Sequence, residues 1–160
     1  MKEKEILRFE GPLGTFFLRE ESAKPIILVA SGTGFAPIKA IIEHAMHKGL
    51  TRTMTLYWGG RRRDDLYLDA LPRQWQSEGR LTYVPVLSEA APADPWSGRT
   101  GFVHRAVMED FPDLTGYQVY ACGTPLMVEA ARKDFTSACN LPDEEFYSDA
   151  FTPATPAAAP

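Results

Sequence analysis

The sequence predicts an α/β domain, a doubly wound five-stranded parallel sheet with helices on both faces. Two observations support this fold class. A β-rich run, a turn and a helical pattern recur along the chain, and the first β-rich run is apolar at every position. The recurrence is one of architecture, since no stretch of sequence is repeated. Parallel strands need such crossover helices, whereas antiparallel strands can be joined by short turns.

The first unit carries the clearest pattern. Residues 26–30 form a continuous apolar run, which is typical of a strand buried on both faces of the sheet. A glycine-rich turn follows, and apolar residues at helical spacing predict a helix over residues 37–48. Pro37 suits the first position of that helix, and Gly49 suits the position just past its end.

Similar signals mark the later elements. Further strands are predicted over residues 53–58, 81–87, 118–122 and 145–148, and further helices over 66–78, over 102–110 and from Pro125. Pro72 is expected to disturb the helix in which it lies, and Pro85 indicates an edge strand. Thr124 and Asp65 are predicted helix caps, and Phe102 is expected to face the core.

Composition and charge disfavour several classes of protein. The 160 residues, of which 44% are apolar and 24% charged, suit one globular domain and argue against a disordered or fibrous chain. The net charge of −4 and the lack of a basic block disfavour nucleic acid as a partner. No apolar run is long enough to span a bilayer, and the charged N-terminus is not a secretory signal, so we expect a cytoplasmic protein.

Metal sites are not predicted. Cys122 and Cys139 are the two cysteines, and without a CxxC pair this chain alone is not expected to hold zinc or an iron–sulfur cluster. A disulfide between them stays open, although two thiols without a secretory signal fit a reducing compartment. The three histidines show no spacing that suggests a metal.

Ligands of an open parallel sheet bind beyond the carboxyl ends of its strands, near the point where the strand order reverses. The turn after the first strand reads S-G-T-G-F-A-P. Gly32 and Gly34 would let the backbone approach a pyrophosphate at the N-terminus of the next helix. Pro37 stands where the third glycine of G-x-G-x-x-G is expected. A tight strand-to-helix turn that binds nothing is the alternative.

Two further strand ends carry candidate residues. Arg61 follows the second strand, where a guanidinium would meet a ribose 2′-phosphate, pack beside an adenine or remain solvated. Cys122 ends the fourth strand and is either a small buried apolar group or a reactive thiol, of which the first is commoner. Gly123 would let a flat ring lie against the backbone.

Six segments, in order along the chain, resemble one family. They are G-P-L-G-T-F-F-L, I-L-V-A-S-G-T-G-F-A-P, L-Y-W-G-G-R with D-L-Y behind it, S-G-R-T-G-F-V, V-Y-A-C-G-T-P-L-M and F-Y-S-D-A-F. Over residues 9–151 the chain resembles the C-terminal NAD(P)-binding domain of the ferredoxin–NADP reductase superfamily. The resemblance is to the branch of flavin reductases, oxygenase reductases and the reductase of CDP-6-deoxyhexose synthesis. Six ordered matches are more specific than a single glycine loop.

The resemblance implies a role for each matching position. The implied cofactor-binding residues are Gly32, Thr33, Gly34, Pro37, Gly59, Gly60, Arg61, Gly123, Thr124, Pro125, Met127 and Phe151. Cys122 and Asp149 match the catalytic positions, beside the nicotinamide ring and near the flavin face, although the family more often has Glu at the second. Hydride transfer is chemistry of the cofactors, so both side chains are expected to shape and polarise the site rather than to attack substrate or bind metal.

The resemblance also indicates parts of the family pattern that this sequence lacks. The flavin-binding motif Arg-x-Tyr-Ser or Arg-x-Tyr-Thr and the Cys₄ cluster are absent, so FAD is expected to be held by a flavin-binding domain outside this sequence. We expect residues 1–20 to be the end of that domain and a linker, residues 21–151 the NAD(P)-binding domain, and residues 152–160 a disordered tail. The nucleotide is NADH or NADPH, and the resemblance leans to NADH.

The predicted function is the nicotinamide-binding part of an NAD(P)H-dependent flavin oxidoreductase, inactive on its own as this fragment. The whole enzyme would pass hydride from NAD(P)H to FAD and electrons onward to an iron–sulfur centre, an oxygenase or another acceptor. Two alternatives stay open. One is a non-catalytic module that senses the nucleotide with the same fold, and the other is a protein-interaction domain that binds no nucleotide.

Overall fold

Residues 14–90 and 95–151 are described by the structure, a computed structural model. Within these ranges the chain forms six strands and four α-helices. In chain order they are β1 (Ile26–Ser31), α1 (Phe35–His47), β2 (Met54–Gly60), α2 (Ala70–Ser77), β3 (Thr82–Leu87), β4 (Arg99–Thr100), α3 (Val103–Asp110), β5 (Gln118–Gly123), α4 (Pro125–Ala138) and β6 (Phe146–Ala150). Residues 1–13, 91–94 and 152–160 lie outside the described residues, and with them most of the expected flavin-domain end and linker and the whole of the expected tail.

The strands form one parallel sheet in the order β4-β3-β2-β1-β5-β6. This order confirms the doubly wound α/β fold, because the chain moves outward from β1 first in one direction and then in the other. The strand count of five was too low: β4 has two residues, which pair with Val86 and Leu87 of β3. Pro85 precedes both pairs, so it lies outside the β3–β4 ladder, although β3 is not the edge strand.

Two helices begin two or more residues away from their predicted starts. Helix α1 begins at Phe35, so Pro37 is its third residue rather than its first. Helix α2 begins at Ala70 rather than residue 66, which makes Pro72 its third residue. The prediction that Pro72 disturbs the helix was therefore wrong, since N–H groups in the first turn have no acceptor within the helix. The Thr124 cap is confirmed, because its Oγ1 accepts the Met127 N–H at 3.4 Å.

The central strand β1 serves two apolar layers. Ile26, Leu28 and Ala30 pack with α1 and α2, whereas Ile27 and Val29 pack with α3 and α4. Successive side chains of a strand point to opposite faces, so a strand covered on both faces must be apolar at every position. None of the helices in the described part of the chain is long and apolar enough to cross a membrane.

A half-buried arginine ties the segment before β1 to the sheet. The Arg52 guanidinium donates hydrogen bonds to the carbonyl oxygens of Lys24 at 2.6 Å and Arg19 at 2.9 Å, and to Oε1 of Gln118 at 2.6 Å. The Gln118 side chain is buried and in turn donates to Oε2 of Glu145 at 2.8 Å. One side chain thus supplies donors to acceptors from two parts of the chain that are distant in sequence.

The carboxyl ends of β1 and β5 touch through backbone. A Cβ atom on Gly34 would overlap the carbonyl oxygen of Cys122, and a Cβ atom on Gly123 would overlap Oγ of Ser31. Gly123 also has a φ of +147°, which L residues rarely adopt. The turn after β1 can therefore sit against the end of β5 only because both residues lack side chains.

We expect Arg52→Met to destabilise the fold by about 2–4 kcal/mol, because three oxygen acceptors each lose a charged donor. Urea denaturation followed by circular dichroism measures this change. Arg80→Met is the matched control: Arg80 pairs with Glu78 at 3.6 Å while 54% exposed, so its replacement should cost less than about 0.5 kcal/mol. Equal effects of the two replacements would contradict the structural role of Arg52.

Replacement of Gly34 by alanine should prevent folding or cost more than about 3 kcal/mol, because the new methyl group meets backbone that cannot rotate away. The control is Gly116→Ala, at a position where a Cβ atom would meet nothing within 4 Å. Thermal denaturation of the two variants tests the difference, and a stable Gly34→Ala protein would show that β1 and β5 are spaced more widely than described.

Candidate functional site

A cleft of about 760 Å³ opens at the carboxyl ends of the strands, a size typical of sites for small molecules and cofactors. It lies where the strand order reverses, the position at which open α/β sheets bind ligands. The residues that line it are Ser31, Gly32, Thr33, Gly59, Gly60, Arg61, Asp65, Ser88, Glu89, Phe102, Val103, His104, Thr124, Leu126, Met127, Ala130 and Phe151.

The predicted phosphate loop divides between the cleft and the core. Gly32 and Thr33 line the cleft, and Gly32 has a φ of +51°. Gly34 is buried against the end of β5, and Pro37 lies in the first turn of α1; neither lines the cleft. Gly32 and Thr33 thus face the space that a ligand would occupy, whereas Gly34 packs against the sheet.

The end of β2 contributes a second run of small residues. A Cβ atom on Gly59 would lie 2.8 Å from Cβ of Val103, so α3 packs directly on this strand end. A Cβ atom on Gly60 would likewise lie 2.8 Å from Cβ of Asp65. Oδ2 of Asp65 accepts the N–H groups of Arg61 at 2.8 Å and Arg62 at 3.0 Å.

These backbone hydrogen bonds lower the pKa of the Asp65 carboxyl. The carboxylate therefore caps the turn that follows β2. The prediction that Asp65 caps the helix after it was wrong, because that helix begins at Ala70. The side chain of Arg61 is left exposed at the cleft.

Residues that the sequence did not single out complete the wall on this side. The Glu89 N–H donates to the carbonyl oxygen of Arg61 at 2.9 Å, which places Glu89 beside the end of β2. Glu89 also lines a smaller depression of about 440 Å³ with Arg61, Arg62, Asp64 and Asp65. Glu89 lies just after β3, where ligands of an open parallel sheet bind, so its position could have indicated a site residue. Nothing in the sequence indicates that it contacts Arg61.

The start of α3 supplies an aromatic rim. Phe102 was expected in the core, yet it is 67% exposed, because it precedes the first helical residue with an extended backbone. Its ring stacks on His104 with the centroids 6.0 Å apart. His104 is buried, with Nε2 at 3.5 Å from Oδ2 of Asp134, and burial lowers the pKa of the imidazole. Its ring is therefore neutral at neutral pH.

Cys122 is fully buried in the apolar layer that also holds α1, and it does not line the cleft. Burial, and next the charge of Asp149, raise the pKa of its thiol to about 12. The side chain is therefore protonated at neutral pH and is not a nucleophile. Asp149 is its register partner on β6 and is exposed.

The other side of the cleft comes from α4 and the residue after β6. The Thr124 N–H donates to Oγ of Ser31 at 3.2 Å, and the Phe151 N–H donates to the carbonyl oxygen of Gly123 at 2.9 Å. Leu126 is 81% exposed and extends this wall. Three strand ends are thus joined by hydrogen bonds beneath an apolar surface.

The predicted site residues fall into two groups. Those that line the cleft are Gly32, Thr33, Gly59, Gly60, Arg61, Thr124, Met127 and Phe151. Those that do not are Gly34, Pro37, Cys122, Gly123, Pro125 and Asp149. Among the described residues, no group of three or more His, Cys, Asp or Glu side chains could hold a metal ion.

Known proteins share both the sequence and the fold. A family model described as the oxidoreductase NAD-binding domain matches residues 28–133. The chain is 44% identical over 155 residues to the CDP-6-deoxy-L-threo-D-glycero-4-hexulose-3-dehydrase reductase of Yersinia pestis. The aligned region covers 96% of this chain and 46% of that protein. It is 36% identical over 146 residues to the NAD(P)H-flavin reductase of Vibrio harveyi, and this alignment covers 91% of the chain and 61% of that protein.

A solved structure agrees with these relatives. The Amycolatopsis cytochrome P450 reductase GcoB superposes with a TM-score of 0.79 at 36% identity, over 91% of this chain and 44% of that one. The chain spans about half the length of the first curated relatives that it matches. Because the family model matches more than half of the sequence, the chain belongs to the oxidoreductase NAD-binding domain family, with the fold of the C-terminal domain of ferredoxin reductases.

Proposed function

We propose that this chain is the nucleotide-binding half of an NAD(P)H-dependent oxidoreductase that passes hydride to a flavin held by a separate flavin-binding domain. The observation that carries the proposal is the cleft at the reversal of strand order, whose lining includes Gly32 just after β1 and Gly59 and Gly60 at the end of β2. Membership of the NAD-binding family supports the identity of the nucleotide.

The residues of the cleft fit a dinucleotide. Such a ligand has two ring systems joined by a pyrophosphate, so it needs an elongated site with unhindered backbone in the middle. Arg61 and Glu89 lie on the β2–β3 side of β1, Phe151 lies on the β6 side, and Gly32 and Thr33 lie between them. Backbone N–H groups before a helix bind phosphate well because they are unpaired and carry partial positive charge.

Each part of the cleft then has a task. Gly32 and Thr33 would bind the pyrophosphate, Arg61 and Glu89 the adenosine ribose, and Thr124, Met127 and Phe151 the nicotinamide half. When bound, the nicotinamide supplies the hydride and the flavin accepts it. The chain's own contribution is to orient these groups and to keep water from them with the apolar rim of Phe102, Leu126 and Phe151.

Cys122 and Asp149 keep their predicted catalytic positions in this proposal, with positioning roles. The Cys122 thiol, buried in the layer that holds α1 and protonated at neutral pH, would give the nicotinamide side an uncharged support. Asp149 ends the adjacent strand with an exposed carboxylate, which would accept a hydrogen bond at the junction with the flavin-binding domain.

The charges at the adenosine end favour NADH. Asp64, Asp65 and Glu89 line the same depression as Arg61 and Arg62, so the additional phosphate of NADPH would meet repulsion from carboxylates as well as attraction from guanidinium groups. A carboxylate accepts a hydrogen bond from the ribose 2′-hydroxyl of NADH and repels the 2′-phosphate of NADPH. We propose Glu89 as the group responsible.

The partners follow from the same chemistry. A flavin-binding domain is needed to receive the hydride, and a downstream acceptor such as an iron–sulfur centre or an oxygenase component would take the electrons. The relatives support a range of acceptors, since one is named a flavin reductase and another a cytochrome P450 reductase.

The proposal predicts anaerobic reduction of flavin. The full chain, mixed with a flavin-binding domain of this family loaded with FAD, should bleach the visible flavin absorbance when NADH is added. The flavin-binding domain alone should react far more slowly. In the same mixture, Asp149→Asn should slow the bleaching while leaving NADH affinity unchanged.

Other results would favour the alternatives. If the chain binds NADH and ADP-ribose with equal affinity, and if no flavin is reduced with either nicotinamide nucleotide, a nucleotide-sensing module is the better description. An absence of nucleotide binding in calorimetry would leave only a protein-interaction domain.

Glu89→Gln should narrow the preference for NADH over NADPH by about three- to tenfold, because the repulsion of the 2′-phosphate is relieved. Dissociation constants of the full chain for both nucleotides measure this ratio. Glu43→Gln removes the same charge from α1, where Glu43 pairs with Lys39 at 2.7 Å, and should leave the ratio unchanged. A ratio that moves equally in both variants would assign the effect to net charge rather than to Glu89.

A further inference from the structure

We propose that Trp58 is a positioning residue for the phosphate loop. Its indole N–H holds the Gly32 carbonyl toward the core and thereby directs the next backbone N–H to the cleft. The inference rests on the proposed function, since it concerns how the loop binds a pyrophosphate. Trp58 lies in the middle of the L-Y-W-G-G-R segment, in which the glycines and Arg61 were the predicted contacts.

The hydrogen bond joins β2 to the turn after β1. Trp58 is fully buried in β2, and its Nε1–H donates to the carbonyl oxygen of Gly32 at 3.0 Å. The same oxygen accepts the backbone N–H of Phe35. A buried indole N–H needs an acceptor, and here the acceptor is a residue that lines the cleft rather than another part of the core.

Two aromatic rings fix the orientation of the indole. Phe35 stacks on Trp58 with the ring centroids 3.9 Å apart and the planes at 14°. Tyr67 meets the indole edge-on at 5.3 Å and 86°. Phe35 is the first residue of α1, so the stack also ties the helix that follows the loop to β2. The indole cannot rotate away from Gly32 without breaking these contacts.

Peptide planarity transmits this orientation to the cleft. In a trans peptide the carbonyl oxygen and the following N–H point in opposite directions. The Gly32 oxygen points to Trp58 in the core, so the Thr33 N–H points away from the core, on the side where Thr33 lines the cleft. A peptide held in this way needs no reorientation when an anion binds, which is the benefit of preorganisation.

Packing alone does not require the indole N–H. A phenylalanine at position 58 would keep an aromatic face for Phe35 and Tyr67, but it would leave the Gly32 carbonyl without one of its two donors. Removal of the N–H therefore separates the positioning role from the packing role.

Trp58→Phe tests the proposal through two ligands, ADP-ribose and adenosine, of which only the first contains a pyrophosphate. In the full chain, the variant should bind ADP-ribose about three- to tenfold more weakly, the range expected for one hydrogen bond. Its affinity for adenosine, measured by titration with NMR detection, should change less than twofold. A purely structural role would weaken both ligands alike or neither.

Trp75→Phe is the matched control. Trp75 lies in the same apolar layer with its ring centroid 6.4 Å from that of Phe35, and its indole makes no hydrogen bond within residues 14–90 and 95–151. It should lose comparable packing and keep its affinity for ADP-ribose. If Trp58→Phe leaves the affinity for ADP-ribose unchanged, or lowers the affinities for both ligands equally, the inference is overturned and the proposed function is not. A wild-type chain that binds neither ligand overturns the proposed function, and the inference with it.

The wild-type protein gives an independent readout in case Trp58→Phe does not fold. The chain contains three tryptophans, so its indole N–H signals can be assigned from Trp75→Phe and Trp96→Phe. Addition of ADP-ribose should shift the Trp58 signal, because the ligand polarises the peptide to which the indole donates, and should leave the Trp75 signal in place. A Trp58 signal that does not move on saturation would overturn the inference.

Discussion

Backbone contact between the turn after β1 and the end of β5 is the constraint on which the site depends. β1 and β5 are neighbours in the sheet, and each is followed by a turn into its own helix. The two turns meet so closely that neither contact residue has room for a side chain. Gly34 and Gly123 satisfy that condition, and the Thr124 N–H then reaches Oγ of Ser31 at 3.2 Å. The cleft lies over this junction, since Ser31, Gly32 and Thr124 line it.

The fold could be predicted from the sequence because its main signal is local. Burial of β1 on both faces requires an apolar residue at each position, and residues 26–30 show this without reference to the rest of the chain. Strand β4 has only two residues, too few to show the alternation of apolar and polar residues that marks a strand in sequence. It is a strand only because it pairs with β3. The start of α2 was misplaced because Leu66, buried by tertiary packing, continues the apolar spacing of the helix.

Only those residues of the cleft that directly follow a strand could be predicted from the sequence. Gly32 and Arg61 follow strands, so that position alone predicts that they line the cleft. Phe102 and His104 enter from the start of α3, and the packing of Val103 on Gly59 brings them to the cleft. The state of Cys122 was equally hidden. Its type leaves open a buried group or a reactive thiol, and only its environment, which raises the pKa to about 12, decides for the first.

The loop S-G-T-G shows why a motif and a site differ. Its two glycines look equivalent in sequence, yet Gly32 has a positive φ and lines the cleft, while Gly34 has helical angles and is needed because β5 is too close for a side chain. The Gly32 carbonyl is turned to Trp58, and the N–H of the same peptide, that of Thr33, faces the cleft, so the two ends of one peptide group would serve packing and binding. A core contact and a ligand contact at the two ends of one rigid peptide would move together, so the preorganisation of this loop is a property of the aromatic layer beneath it.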